Sequence, residues 1–304
     1  MVKTIDGLGM GWLPDYPDFR DYTVDQMEVP TVHQRATHKD PIKAMLKEVG
    51  VADLETVKLN KSADLRRWCS PIEDQESLGS CTAQAAAAVV EYFERRAFGE
   101  SIDVSRLFIY KVSRNMLGWT GDTGAYLRTT MGALVLFGAP PEEYWPYDID
   151  NFDQEPSAFC YSYARNYQAI SYYRLDPPTI RRDQLLKRVK ANLGSGLPSM
   201  FGFTVYSSIG QAAETGKVPY PSFGERRLGG HAVVAVGFDD DMEIENQDAA
   251  EVTTGALLIR NSWGEGWGED GYGWLPYKYV LESQAIDWWS LLRNEWIETK
   301  AFRL

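Results

Sequence analysis

Helical and extended segments are segregated along this chain, and that order limits the folds open to it. The runs 80–98, 104–117, 125–138 and 180–194 carry apolar residues at helical spacing. Glycine marks the end of three of them, at Gly99, Gly138 and Gly194. After Gly194 the character changes. "LPSMFGFTV", "HAVVAVGF" and "GALLIRNSW" are short, β-rich and bounded by Gly and Pro, so they read as strands. Helices first and strands second is an α+β order, and it predicts two lobes with a cleft between them. A helical lobe is expected over about 61–190 and a β-rich lobe over about 191–304. With 304 residues, 44% hydrophobic, the chain has ample material for such a core.

Residues 1–60 differ from the rest. "WLPDYPDFRDY" is proline-punctuated and reads as extended. "PIKAMLKEVG" (41–50) reads as one short helix, with Pro41 as its start and Gly50 as its stop. Two of the three histidines, His33 and His38, fall here. This is too little to form a core alone, so the segment is expected to pack on the main body.

The net charge of −12 repels phosphate backbones and anionic lipid, which makes nucleic acid and membrane surfaces poor first partners. No apolar run approaches the roughly 20 residues of a span, and the N-terminus lacks the apolar core of a secretion signal. The cytoplasm is the default expectation, although export by a non-classical route would leave the same sequence. Three cysteines, Cys69, Cys81 and Cys160, make no disulfide framework. Free thiols are expected, with a Cys69–Cys160 pair the alternative. No ligand spacing suggests a metal.

The chemistry gathers at four residues. His231 opens an apolar strand directly after two glycines, which leave room beside it. In isolation it also fits a structural histidine. Folding 231–238 against 255–261 as an antiparallel hairpin, with 239–254 as connection, places His231 opposite Asn261 at the open end. An amide oxygen beside an imidazole fixes its tautomer and ring angle. Cys81 lies in the first turn of the alanine-rich helix, where the macrodipole favours thiolate, and a nearby imidazolium would favour it further. Gln75, six residues earlier, could join the Cys81 N–H in holding an oxyanion, or could be an ordinary exposed loop residue.

Together these residues resemble the papain family of cysteine peptidases, over about residues 62–304. The motifs are "DQESLGSC", "GHAVVAVGF" and "IRNSWGEGWGEDGY", with "ADLR" (63–66) resembling the start of a mature enzyme. The likeness is to the bacterial branch. It implies a papain-like two-lobed fold, helical left and β-rich right, with the active-site cleft between the lobes. It makes Cys81 the nucleophile, His231 the general base and acid, Asn261 the orienter and Gln75 the oxyanion donor. Trp263 would shield the His231–Asn261 contact from water. Gly124, Ala125 and Gly230 would line the cleft and meet an extended peptide. Specificity in this family rests mainly on a pocket for the second residue before the cut. Phe201, Gly202 and Phe203, with a C-terminal position, are candidates for its walls, and phenylalanine there would suggest apolar side chains. The resemblance implies a monomer acting on peptide or protein substrates without a cofactor. Residues 1–60 then stand where a propeptide would, and a restraining position across the cleft is expected of them. The same residues would also serve an acyltransferase or peptide ligase, and a binding module would keep the cleft without the chemistry. This sequence departs from the family at several points. Leu78 replaces a disulfide cysteine, Thr82 replaces an aromatic residue, and Ala125 replaces the second of two glycines. The segment 1–60 also lacks the usual propeptide helical motif.

Overall fold

The computed structural model describes residues 3–19, 21–26, 42–51, 57–167, 171–249, 251–292, 299, 301 and 302. His33, His38 and Pro41 fall outside these.

The chain opens with a small hairpin, β1 (Lys3–Ile5) and β2 (Leu8–Met10). It turns at Asp6 and Gly7, both at positive φ as a tight hairpin turn requires. The short helix α1 (Ile42–Glu48) buries Ile42, Met45 and Leu46, the i, i+3, i+4 stripe of an amphipathic helix. These residues join the main core, so part of 1–60 belongs to the body. Strand β3 (Ser62–Asp64) follows.

Helix α2 (Cys81–Phe98) is buried continuously from Cys81 to Phe93. Alanine permits this, because small side chains let neighbours approach the backbone on every side. The helix ends at Gly99 in the left-handed conformation, φ 87°. Helices α3 (Arg106–Met116) and α4 (Leu127–Phe137) pack beside it, and Ser105 caps α3 by accepting the Phe108 N–H. A short α5 (Ala158–Ala164) is capped in the same way by Ser157.

Then come β4 (Ser171–Arg174), α6 (Arg182–Gly194), β5 (Ser199–Tyr206), β6 (Arg227–Asn246) and β7 (Glu251–Arg260). The chain continues through β8 (Tyr272–Pro276), α7 (Tyr277–Leu281) and β9 (Ala285–Leu292). Among the described residues the strands form an antiparallel sheet of order β4-β9-β5-β6-β7-β8, with β3 alongside β6.

Two boundaries differ from expectation. The sheet lobe starts near 171 rather than 191, because β4 pairs with β9. Helix α6 also lies on this sheet, with Lys190 Nζ 2.6 Å from Asp240 Oδ1. Residues 239–254 are not an irregular connection. Both strands run on through bulges to Asn246 paired with Glu251, because Ile244 buries its side chain in an otherwise polar stretch. The cysteines are free and buried, so Cys69 and Cys160 do not pair. Among the described residues no helix is long and apolar enough to cross a membrane.

Candidate active site

The first turn of α2 faces the sheet at the start of β6, and the four sequence-predicted residues meet there. Gln75 is fully buried rather than exposed. Its backbone N–H donates to the Ser262 carbonyl at 2.9 Å, and its Oε1 accepts the Ser262 hydroxyl at 2.6 Å. The residue after the asparagine therefore fixes the orientation of the Gln75 amide. That leaves Nε2 to donate, to the Leu78 carbonyl at 2.8 Å and the Gly9 carbonyl at 3.0 Å.

His231 is fully buried, and its Nε2 lies 2.7 Å from Asn261 Oδ1. The same oxygen accepts the Ser262 N–H at 2.8 Å. An oxygen facing Nε2 selects the tautomer with the proton on Nε2. Nδ1 is then the basic nitrogen, and among the described residues it is buried without a hydrogen-bond partner. Trp263, 5% exposed, stacks on the imidazole at 4.4 Å between centroids, 20° from parallel.

Behind the thiol, Gly79 N–H donates to Asp122 Oδ1 at 3.1 Å. Tyr110 donates its hydroxyl proton to the same oxygen, and its own oxygen accepts the Gly124 N–H at 3.0 Å. Asp122 and Tyr110 thus tie the loop before Cys81 to the loop carrying Gly124 and Ala125.

The cleft is not open. Residues 8–13 run through it as a strap. Gly9 N–H donates to Glu76 O at 2.7 Å, and Gly9 O accepts from both Gln75 Nε2 and Trp263 Nε1, the latter at 3.1 Å. Gly11 N–H donates to Cys81 Sγ at 3.3 Å. Gly11 O accepts the Ala125 N–H at 2.9 Å, and Leu13 N–H donates to Ala125 O at 3.2 Å. Ala125 thus gives both backbone groups to an extended segment. The glycines allow the close approach. A Cβ at Gly11 would fall 1.9 Å from Gly79 O, and one at Gly124 would fall 2.1 Å from Gly11 O. The Trp12 indole lies over Gly202 and Gly230, and its Nε1 donates to Asp287 Oδ2 at 3.0 Å. Phe201 and Phe203 point to the other side of β5, onto Trp288 and Tyr279. Gly202 between them faces the strap, so phenylalanine does not line this pocket.

Burial sets the charge states. It pushes the Cys81 thiol up to about 11, against backbone donors from Ala232, Gly11, Trp12 and Thr82. Burial likewise pulls His231 down to about 4, against its bond to Asn261. In this covered state the pair is neutral. The thiolate expected from the helix terminus is not formed, because desolvation outweighs the dipole.

The strap residues Gly9, Gly11 and Trp12 were not found from the sequence, nor were Asp122, Ser262 and Asp287. One signal was available for the strap. In "GLGMGW" glycine stands at both 9 and 11, alternate residues on one face, as an extended chain pressed on a neighbouring backbone requires. Among the described residues no cluster of ligating side chains could hold a metal.

A profile of the papain family cysteine proteases matches residues 59–285. The chain is 34% identical to a peptidase C1-like protein of Acanthamoeba polyphaga mimivirus over 289 residues, 92% of this chain and 85% of that protein. It is 29% identical to cathepsin K of Gallus gallus over 218 residues, 69% of this chain and 57% of that protein. The crystal structure of xylellain, a cysteine protease from Xylella fastidiosa, superposes with a TM-score of 0.70 at 31% identity. That match covers 96% of this chain and 98% of that one.

Proposed function

For a chain that belongs to the papain family of cysteine proteases, and is a hydrolase of that kind, we propose that Cys81, His231, Asn261 and Gln75 carry the reaction and that residues 8–13 restrain it. The carrying observation is the 2.7 Å His231–Asn261 bond under Trp263, beside a thiol at the mouth of α2.

With the strap displaced, His231 Nδ1 takes the thiol proton and Cys81 Sγ attacks the peptide carbonyl carbon. The carbonyl oxygen becomes negative and meets Gln75 Nε2, which now donates to Gly9 O. Imidazolium returns its proton to the leaving nitrogen, the C–N bond breaks and a thioester remains. Water, deprotonated by the imidazole, attacks the thioester and releases the acid and the free thiol. Trp263 keeps bulk water from the His231–Asn261 hydrogen bond throughout, while the Nδ1 edge opens with the strap. Ala125 offers its N–H and C=O to the substrate backbone, as it does to the strap, and Gly124 and Gly230 leave space for that chain.

The strap blocks without being a substrate. What it brings to the sulfur is the Gly11 N–H, not a carbonyl carbon. It also occupies Gln75, and its burial holds the pair neutral. The full chain is therefore a latent form, a zymogen in effect.

The test is hydrolysis of a fluorogenic peptide panel under reducing conditions by the full chain, with Cys81→Ala as blank. Gly11→Ala puts a methyl group against Gly79 O and is expected to raise the rate at least about tenfold by expelling the strap. Equal rates in Gly11→Ala and the parent would remove the restraint reading. Parent, Gly11→Ala and blank all alike would remove the catalytic assignment.

A further inference from the structure

Resting on the reading of the cleft as the peptide site, we infer that the pocket holding Trp12 selects a flat side chain with a hydrogen-bond donor at its far end, tryptophan foremost, and that Asp287 determines this specificity.

The pocket is shaped by absence. A Cβ at Gly202 would fall 1.9 Å from the indole and one at Gly230 would fall 2.6 Å from it. Only a backbone without side chains leaves room for a bicyclic ring there. At the far end lies a carboxyl group. Asp287 is fully buried, and its Oδ2 accepts the indole N–H. Its other oxygen is already occupied, by Trp289 Nε1 at 2.7 Å and Arg174 Nη2 at 3.2 Å. Oδ2 is therefore the oxygen offered to an occupant.

The backbone is bent to make this offer. Asp287 has φ 64°, a left-handed conformation that costs a non-glycine residue energy. It lies where the β5–β9 register slips, between Met200 paired with Trp289 and Gly202 paired with Ile286. A bulge of this kind re-aims a side chain beside a site. Its N–H donates to Asp176 Oδ2 at 2.9 Å, which holds the turned backbone. A buried acceptor facing the pocket penalises any occupant of equal shape that lacks a donor, because the carboxylate is left desolvated and unpaired. Arg174 is already ion-paired to Asp287, so the acceptor favours a neutral N–H over a second guanidinium.

The experiment uses the full chain and irreversible peptidyl probes that alkylate Cys81, read by mass spectrometry. The probes differ only at the second residue before the electrophile, which is tryptophan, benzothienylalanine, leucine or arginine. Benzothienylalanine keeps the bicyclic shape and replaces N–H by sulfur. Every probe must wait for the same strap opening, so ratios of rates cancel it. Tryptophan is expected to label at least about tenfold faster than benzothienylalanine. Asp287→Asn, which keeps an acceptor in a similar volume, is expected to retain that order. Equal labelling by the two bicyclic probes, or fastest labelling by leucine or arginine, overturns the inference. Iodoacetamide alkylation of Cys81 without labelling by any peptidyl probe is a different failure, one that removes the peptide-cleft reading beneath it.

Discussion

At the residue scale the covered site turns on proton occupancy. His231 is held near 4 by burial, below its ordinary value of 6.5. Water reaching the ring on strap release restores the ordinary value, so the open form binds more protons between those limits. A depressed pKa contributes stability above about 6.5 that is lost as pH falls toward 4. Acid therefore opens the strap, by up to roughly tenfold per pH unit. Cys81 acts at the other end. Its pKa is raised from 9.0 to about 11, so its contribution is full below 9.0 and lost as pH rises toward 11. Protection of the Gly11 amide from hydrogen exchange, corrected for intrinsic rates, should peak between these two windows and fall on both sides. A flat profile from pH 4 to 7 would remove His231 from this balance. Cys81→Ala should abolish hydrolysis while leaving the denaturant midpoint within about 0.5 M of the parent.

At the element scale the strap is anchored by charge as well as by backbone. Arg128, on α4, pairs with Asp15 and with Asp21, the latter at 2.6 Å from Nε. Arg174, on β4, meets Asp21 Oδ2 at 3.3 Å, the Asp15 carbonyl at 2.8 Å and Asp176 Oδ1 at 2.9 Å. The two arginines do different work. Arg128 is partly exposed and, among the described residues, its ion pairs run only to the N-terminal segment, so Arg128→Ala should raise basal hydrolysis several-fold with little loss of stability. Arg174 is fully buried among Asp21, Asp176 and Asp287. Arg174→Met leaves the buried Asp176 and Asp287 without their cation, while Asp21 keeps Arg128, and should cost about 3–5 kcal/mol in denaturant unfolding. A cost below about 1 kcal/mol would show that those carboxylates do not depend on it.

At the scale of the whole molecule, residues 1–60 are two things. The strap fills the cleft, and α1 packs into the core, with Leu46 only 1% exposed. Leu46→Ala should cost about 2–5 kcal/mol by cavity formation. Thermal unfolding would check this, and a cost near zero would mean that α1 is not part of the folding unit. Removal of all sixty residues would therefore expose core as well as cleft. Activation by cleavage should fall after the strap and before Ile42, with α1 retained, and N-terminal sequencing of an activated sample reads that boundary directly.

Period and spacing by themselves determined the helices over 81–98, 106–116, 127–137 and 182–194. The same reading led to the His231–Asn261 contact but not to its register: Val234 lies opposite Arg260, so His231 is not opposite Asn261, and the two side chains meet past the end of the paired strands. The hairpin's length was misjudged, since an apolar Ile244 among acidic residues is a weak signal until its partner strand is placed. Tertiary structure alone decided the rest. Asp287 becomes a pocket floor only through a register slip against β5, and Trp12 meets it across 275 positions of chain. The charge state of Cys81 and His231 was likewise undecidable from residue types. It is set by burial, and desolvation is a property of the assembled surroundings rather than of any residue.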